Sequence, residues 1–377
     1  MKRRFLMTPG PSPVPSFVRE SLGREIMHHR TEEFQNILSD VHKGLKRVFC
    51  TDNPVLILAS SGTGAMEAAV SNLFSRNDKV ITVNGGKFGE RWTQIAKSFS
   101  LEVIELKLDW GTPLSKEILI KTLKENKGAK GVFTTLCETS TATVCDVKAM
   151  AEVTRENDAL LIVDAVSGLG QDRLLTDSWG VDVVVSGSQK GFMLPPGLSF
   201  ISLSKKAQAA ISKSDLPKYY FNLSKALKSY EKNDTPFTPA VSLIVGLKEA
   251  LELINFQGLE ARWGRFEKMA LATREAAKAM GLEIFSKNPS SSVTAICVPE
   301  TIKSGQIVKI LRKDYGLSIA GGQDQMKDKI IRIAHMGWIN EQDLISCFSL
   351  LEKVLKDLGA NFSLGASLAR LEEVLYG

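Results

Sequence analysis

Between residues 54 and 204 the chain alternates short apolar runs with amphipathic stretches. The runs PVLILAS, KVITVNG, LEVIELKL, KGVFTTLC, LLIVDAV, VDVVVSG and LSFISLS are rich in β-branched residues, and each predicts a strand. Between the early ones, GAMEAAVSNLF, KEILIKTLKEN and DVKAMAEVTREN carry apolar positions at helical spacing. This alternation predicts an α/β fold with a mostly parallel seven-stranded sheet covered by helices on both faces. After residue 205 the pattern changes. A Lys-rich helical stretch leads to TPFTPAVSLIVGLKEALELI, a turn followed by a long helix. From about 260 onward helices surround two or three short strands, SSVTAICVP, LSIAGG and KIIRIAH, which predicts a smaller α+β domain. The expected division is an N-terminal segment 1–13, a large domain 14–258 and a small C-terminal domain 259–377, with the helix near 260–280 open to either body.

Composition narrows the class. The 377 residues are 44% hydrophobic and 24% charged, as in an ordinary globular protein. The net charge of +6 is spread among acidic residues with no basic cluster interleaved with aromatics, so nucleic-acid binding is not expected. MKRRFLMTPGPSPVP starts basic, but its apolar run is only Phe5, Leu6 and Met7, too short for a signal peptide. No apolar segment reaches membrane-spanning length, so no membrane role is expected. Five widely spaced cysteines without a CxxC favour reduced thiols in a cytoplasm, and four histidines without ligand spacing argue against a metal.

In sheets of this kind ligands bind beyond the carboxyl ends of the strands, so candidate chemistry is sought there. SGSQKGFMLPPG places Lys190 just past a predicted buried strand and between small-residue turns. An amine held and desolvated there has a lowered pKa and becomes a nucleophile, although a solvated turn lysine would read the same locally. ASSGTGAMEAAV ends a strand, turns through Gly62, Thr63 and Gly64 and starts a helix, whose free N–H groups could cradle a phosphate or simply be capped. Asp164 ends the apolar strand of LLIVDAVSGLGQD, where a carboxylate must find a partner, internal or ligand. Amine, acid and cradle converge on one sheet edge. A phosphorylated aldehyde with a pyridine nitrogen, pyridoxal phosphate, needs those three groups. Phe88 in NGGKFGERW could stack on a planar ring or anchor the next helix. Arg332 in KIIRIAHMGW wants a carboxylate, either an internal one or that of an amino-acid substrate.

The ordered set TPGPSPVP, MHHRTEEF, SSGTGAMEAAV, NGGKFGERW, ETSTA, VDAVSGLG, SGSQKGFMLPPG, TPFTPAVSLI and IRIAHMGW resembles the class V aminotransferases of pyridoxal-phosphate fold type I. It is most similar to the alanine–glyoxylate and serine–pyruvate (serine–glyoxylate) group, over nearly the whole length. The resemblance implies a Schiff-base role for Lys190, a pyridine-nitrogen partner in Asp164 and a ring-stacking aromatic in Phe88. It also implies that Thr139 contacts the cofactor near its ring oxygen, and that Gly62 and Thr63 hold the phosphate with Gln189. Arg332 would clamp the substrate carboxylate. In such enzymes a partner subunit completes the site, which implies a homodimer and points to Thr238 for the phosphate and His29 and Arg30 for the substrate. The expected reaction is transamination from serine or alanine to glyoxylate or pyruvate.

Three departures stand out. Ala142 replaces the Gly usual in ETSTA and could tighten that turn. Cys137 stands beside the cofactor loop where polar residues are frequent. ANFSLGASLARLEEVLYG extends the chain as an added amphipathic helix that could pack at a dimer contact. Three rival readings are weighed. A phosphoserine aminotransferase shares the Gln before its lysine but needs extra basic residues. A cysteine desulfurase needs a His there, whereas this chain has Gln189. A non-catalytic hydrogenase-associated subunit would keep the fold without the chemistry.

Overall fold

The computed structural model describes residues 4–377; the basic start formed by Lys2 and Arg3 lies outside the described residues. The seven apolar runs form one sheet: β1 (Val55–Leu58), β2 (Lys79–Asn84), β3 (Glu102–Lys107), β4 (Gly131–Thr135), β5 (Leu160–Asp164), β6 (Val183–Gly187) and β7 (Ser199–Leu203). Their order is β1-β7-β6-β5-β4-β2-β3, and only β7 runs antiparallel to its neighbours. Register is fixed by alternation. Leu161 and Val163 of β5 enter the apolar cluster under helices Glu32–Phe49, Val147–Glu156 and Val241–Gln257. Leu160 and Ile162 face the opposite cluster with helices Gly62–Leu73 and Lys87–Ser98. A shift by one residue would exchange these sets, so burial on both faces holds the carboxyl ends of the strands level.

A second, three-stranded antiparallel sheet is built from β8 (Val293–Cys297), β9 (Ala320–Gly321) and β10 (Ile330–Ala334), with β10 central. Helix Leu259–Ala279 buries Phe266, Met269, Ala272 and Ala276 in the apolar cluster of this smaller sheet. LSIAGG does not form one strand. Ile319 turns into the core at 3% exposure, and the chain changes partners there. Leu317–Ser318 pairs in parallel with Phe5–Leu6, while β9 pairs with β10. The N-terminal segment is thereby stitched to the smaller body: Met7 N–H donates to Ser318 O at 2.8 Å, and Met7 O accepts from Ala334 N–H at 2.9 Å.

The tail helix, Ala366–Tyr376, packs on the chain's own small body, with Leu371 and Leu375 in the same cluster. Its start is fastened by buried Glu352, which accepts from Gly365 N–H at 2.7 Å and from Ser367 N–H at 2.8 Å. A carboxylate at a helix start is favoured by the helix dipole. Among the described residues no helix is long and apolar enough to cross a membrane. Because Leu371 is fully buried, Leu371→Ala is expected to lower the free energy of unfolding by about 2–5 kcal/mol. Urea denaturation at several protein concentrations checks this. A loss that vanished on dilution would place the helix at a subunit contact instead.

Candidate functional site

Strand ends in a parallel sheet deliver their following residues to one edge, and that edge here carries a cavity of about 460 Å³. Asp164 is the last residue of β5, and Lys190 follows β6 by a tight turn. Gly62 and Thr63 begin the helix after β1, and Phe88 sits in the first turn of the helix after β2. Arg332 reaches the cavity from the middle of β10. Thr139 and Gln189 also line it.

Lys190 is 6% exposed. Its Nζ donates to Pro9 O and, at 3.0 Å, to Ser167 Oγ. Burial pulls its pKa down from 10.5 to about 8; Cys137 and Asp164 push it up, and the cations Arg332 and Arg91 push it down. The turn that presents it is unusual, since Met193 adopts φ +57° and donates its N–H to Lys190 O at 3.0 Å. A non-glycine residue in the left-handed region is strained unless the surroundings over-determine it. Gly10 has no alternative, because a Cβ there would lie 2.2 Å from Lys190 Cε.

Asp164 is buried and accepts from Val166 N–H at 2.8 Å through Oδ1. Burial raises its pKa to about 6. Arg332 is 6% exposed, and burial lowers its pKa to about 10. Its Nε and Nη2 donate to Gly321 O at 3.0 and 2.9 Å, and Nη1 donates to Thr139 O at 2.9 Å. Among the described residues no carboxylate pairs with Arg332, so the internal-partner reading left open by the sequence is not what the fold adopts. Thr139 Oγ1 meets Ser167 Oγ at 2.5 Å, joining the loop after β4 to the lysine's own partner. Ala142 in that loop adopts φ +58°, which gives the Ala-for-Gly departure a steric cost.

Three groups at the site were not singled out in the sequence. Arg91 lines the cavity, donates to Thr63 Oγ1 at 3.1 Å and lies 4.9 Å from the Phe88 ring centroid. Its position three residues after Phe88 puts both on one helix face, which was the available signal. Buried Glu138 accepts from Phe88 N–H at 3.1 Å and Gly89 N–H at 2.9 Å, fixing the start of Phe88's helix. Pro9 brings its carbonyl from the far end of the sequence, and no local pattern announces that.

Four predicted residues lie off this cavity within the chain. Gly64 is one step deeper in the helix, with its N–H on Ser61 O at 2.8 Å and Ser60 Oγ where a Cβ would go. Thr238 is exposed in an apolar recess with Ile57, Leu198 and Phe237. The His29 ring lies tilted against that of His28, with centroids 5.0 Å apart, and Arg30 pairs with Asp234 and donates to Thr235 O at 3.0 Å.

Residues 17–340 match the family model of the aminotransferases described as class V. A soluble hydrogenase small subunit from Synechococcus sp. (strain PCC 6716) is 41% identical, covering 99% of this chain and 98% of its own length. The serine–glyoxylate aminotransferase of Hyphomicrobium methylovorum is 35% identical, covering 98% of this chain and 93% of its own. Among solved structures, the ureidoglycine–glyoxylate aminotransferase of Bacillus subtilis matches with a TM-score of 0.96 at 28% identity, over 100% of this chain and 99% of that one.

The charges around Lys190 set a titration that can be measured without any ligand. Trace acetylation followed by peptide mass spectrometry is expected to show Lys190 becoming reactive as pH rises through about 8, well below the ordinary 10.5. Asp164→Asn removes a group that raises this pKa, so its inflection is expected at lower pH still.

Proposed function

Because the chain belongs to the class V aminotransferases, we propose that it binds pyridoxal 5'-phosphate around Lys190 and transfers an amino group from a small L-amino acid, serine or alanine, to glyoxylate or pyruvate. The observation that carries this reading is the meeting, in one cavity, of a desolvated lysine, a buried carboxylate and an arginine without a carboxylate partner. The residues present fit the cofactor. Ser61 makes no side-chain cap bond at the start of helix Gly62–Leu73, which leaves that dipole end open to a phosphate. Gln189 Oε1 is buried without a partner, and rotation of its amide can turn the N–H₂ group toward an anion instead. When bound, pyridoxal phosphate supplies an aldehyde for amines and a ring that takes up the electrons released at the substrate's Cα.

The chain's residues do the rest. Gly62, Thr63 and Gln189 hold the phosphate, and Gly64 serves by keeping that helix start close to Ser60. Phe88 would stack on the cofactor ring, and Arg91 lies beside Phe88. Asp164 would hold the pyridine nitrogen protonated, and Thr139 would steady the cofactor near its ring oxygen. Arg332 keeps donors free beyond the carbonyls it already serves, and these bind the substrate carboxylate. Lys190 Nζ, with a pKa of about 8, would take the proton from the substrate's Cα and could give one up again, because a base near the working pH moves protons in both directions.

The protein is proposed as a cytoplasmic homodimer. The exposed Thr238 turn supports this arrangement, with the partner's Thr238 reaching the phosphate and the partner's His29 and Arg30 approaching the substrate. The division into large (14–258) and small (259–377) domains is proposed on the separate apolar clusters of the two sheets. The cysteine-based rival finds little support. Cys137 is buried with its pKa raised by desolvation, and Cys347 lies in a core helix with its pKa pushed up to about 12.

Lys190→Ala is expected to lower transamination by about 10²–10⁴-fold. It should also abolish the visible absorbance that appears when pyridoxal phosphate is added to the wild-type protein. A donor-by-acceptor panel read by half-reaction spectra identifies the amine. Full activity in Lys190→Ala, or no turnover of any donor by a wild-type protein that co-purifies with a partner, would overturn the reading, the latter in favour of a hydrogenase-associated subunit.

A further inference from the structure

Asp172 closes the loop that begins at Asp164. It is 6% exposed, and the proposed chemistry makes no use of it. Its Oδ2 accepts from Ser290 Oγ at 2.6 Å and its Oδ1 from Ser291 N–H at 2.7 Å. Ser290 Oγ meets Ser292 Oγ at 2.7 Å, and Ser292 Oγ donates to Cys137 Sγ at 3.6 Å. Arg274 Nη1 donates to Ser290 O at 3.2 Å. Asp172 belongs to the large sheet's edge, whereas Ser290–Ser292 lead into β8 of the small sheet. A buried carboxylate among hydroxyls is a costly way to fill space, and apolar side chains would pack there at lower cost.

Three paths lead from this junction to the site. The first runs back along Asp172's own loop, where Asp172 N–H donates to Gly168 O at 2.7 Å and Leu169 N–H to Ala165 O at 2.9 Å. That tight turn carries Ser167, the hydroxyl partner of Lys190 Nζ. The second passes through Ser290 N–H to Ala142 O at 3.0 Å and Val144 N–H to Asn288 O at 2.9 Å. These bonds hold the Thr139 loop, whose Thr139 O receives Arg332 Nη1. The third passes through His335, which donates from Nδ1 to Ser291 O at 2.7 Å and from its N–H to Ser292 O at 3.1 Å. Burial holds the His335 pKa down to about 3, so the ring stays neutral, with Nε2 accepting from Thr294 Oγ1 at 2.9 Å. His335 directly follows β10, which carries Arg332.

We infer that Asp172 is a positioning residue for substrate binding: by fastening Ser290–Ser292 to the Asp164 loop, it sets where the Arg332 guanidinium stands relative to Lys190. This rests on the reading of Arg332 as the carboxylate site. The bonds that hold the Ser167 turn are backbone bonds, whereas the Asp172 carboxylate is bonded to Ser290 and Ser291, so its loss falls on the geometry of carboxylate capture and leaves the proton transfer at Lys190 intact.

The test uses the holoenzyme with Asp172→Ala and Ser290→Ala. The KM for the amino donor is expected to rise about 10-fold or more, since small misplacements of a positioning group are costly, while kcat changes by less than about 3-fold. The Kd of propionate, a non-reacting monocarboxylate, is expected to rise by the same factor. Amide hydrogen exchange should quicken at residues 290–292 and at His335, and stay unchanged in helix Gly62–Leu73. In an Arg332→Ala background Asp172→Ala is expected to add nothing to KM, because both act through one contact. Additive effects on KM, or lost stability with KM and propionate binding unchanged, would overturn the inference alone. An Arg332→Ala enzyme with unaltered KM and propionate affinity would overturn the reading of Arg332 and the inference with it. If Asp172→Ala fails to fold, Asp172→Asn, which keeps the shape but accepts more weakly, carries the same expectations.

Discussion

Keeping a lysine amine out of water with only a carbonyl and a hydroxyl for partners is the constraint around which this molecule is arranged. Among the described residues no carboxylate comes within ion-pair reach of Lys190, so its charge is not neutralised by contact. The fold bears this cost in a measurable direction. With a folded pKa of about 8 against 10.5, the unfolded chain binds more protons between those values, so this group's contribution to stability rises with pH across that window. The same desolvation keeps the amine reactive near neutrality.

The roof over Lys190 explains the N-terminal segment. Phe5–Leu6 adds to Leu317–Ser318, Met7 bridges to Ala334, and Pro9 then presents its carbonyl to the amine. Ser12 completes the cover by donating from Oγ to Lys190 O at 2.8 Å. One short segment thus ties the smaller body to the lysine turn of the larger. Glu138 plays a comparable part at the start of the helix that carries Phe88. Its carboxylate holds the start of Phe88's helix, and its burial raises its pKa, so the N–H groups aimed at it are what keep it in place.

Much of this was legible in the chain's local patterns. A strand that ends at Asp164 or just before Lys190 can be read from a run of β-branched residues, and a parallel sheet brings such ends to one edge without further information. The seven runs, the strand-to-helix turn at Gly62 and the aromatic at Phe88 all belong to this class. Long-range contacts were not legible. Pro9 meeting Lys190, Asp172 meeting Ser290 and Met7 bridging two strands depend on how separate pieces dock, and residue spacing carries no trace of that. LSIAGG reads as one strand because its residues suit a strand throughout, but two different neighbours compete for it and Ile319 marks the change. Gly64 shows the limit of reading a glycine as an anion contact, since in the fold it makes room for Ser60.

The setting of Arg332 bears on how a carboxylate is taken. Thr8, Pro9, Pro11, Ala320 and Gln323, all uncharged, line the same cavity as Arg332. The guanidinium is oriented by neutral carbonyls at Gly321 and Thr139, which fix its plane without cancelling its charge. A guanidinium without a carboxylate partner in such a setting attracts a carboxylate strongly. Arg91 and Lys190, the other cations lining the cavity, serve partners of their own: Arg91 donates to Thr63 Oγ1 beside Phe88, and Lys190 donates to Pro9 O and Ser167 Oγ. Under the proposed reaction this guanidinium of Arg332 takes the donor's α-carboxylate, and the carbonyls that fix its plane keep its charge available for that contact.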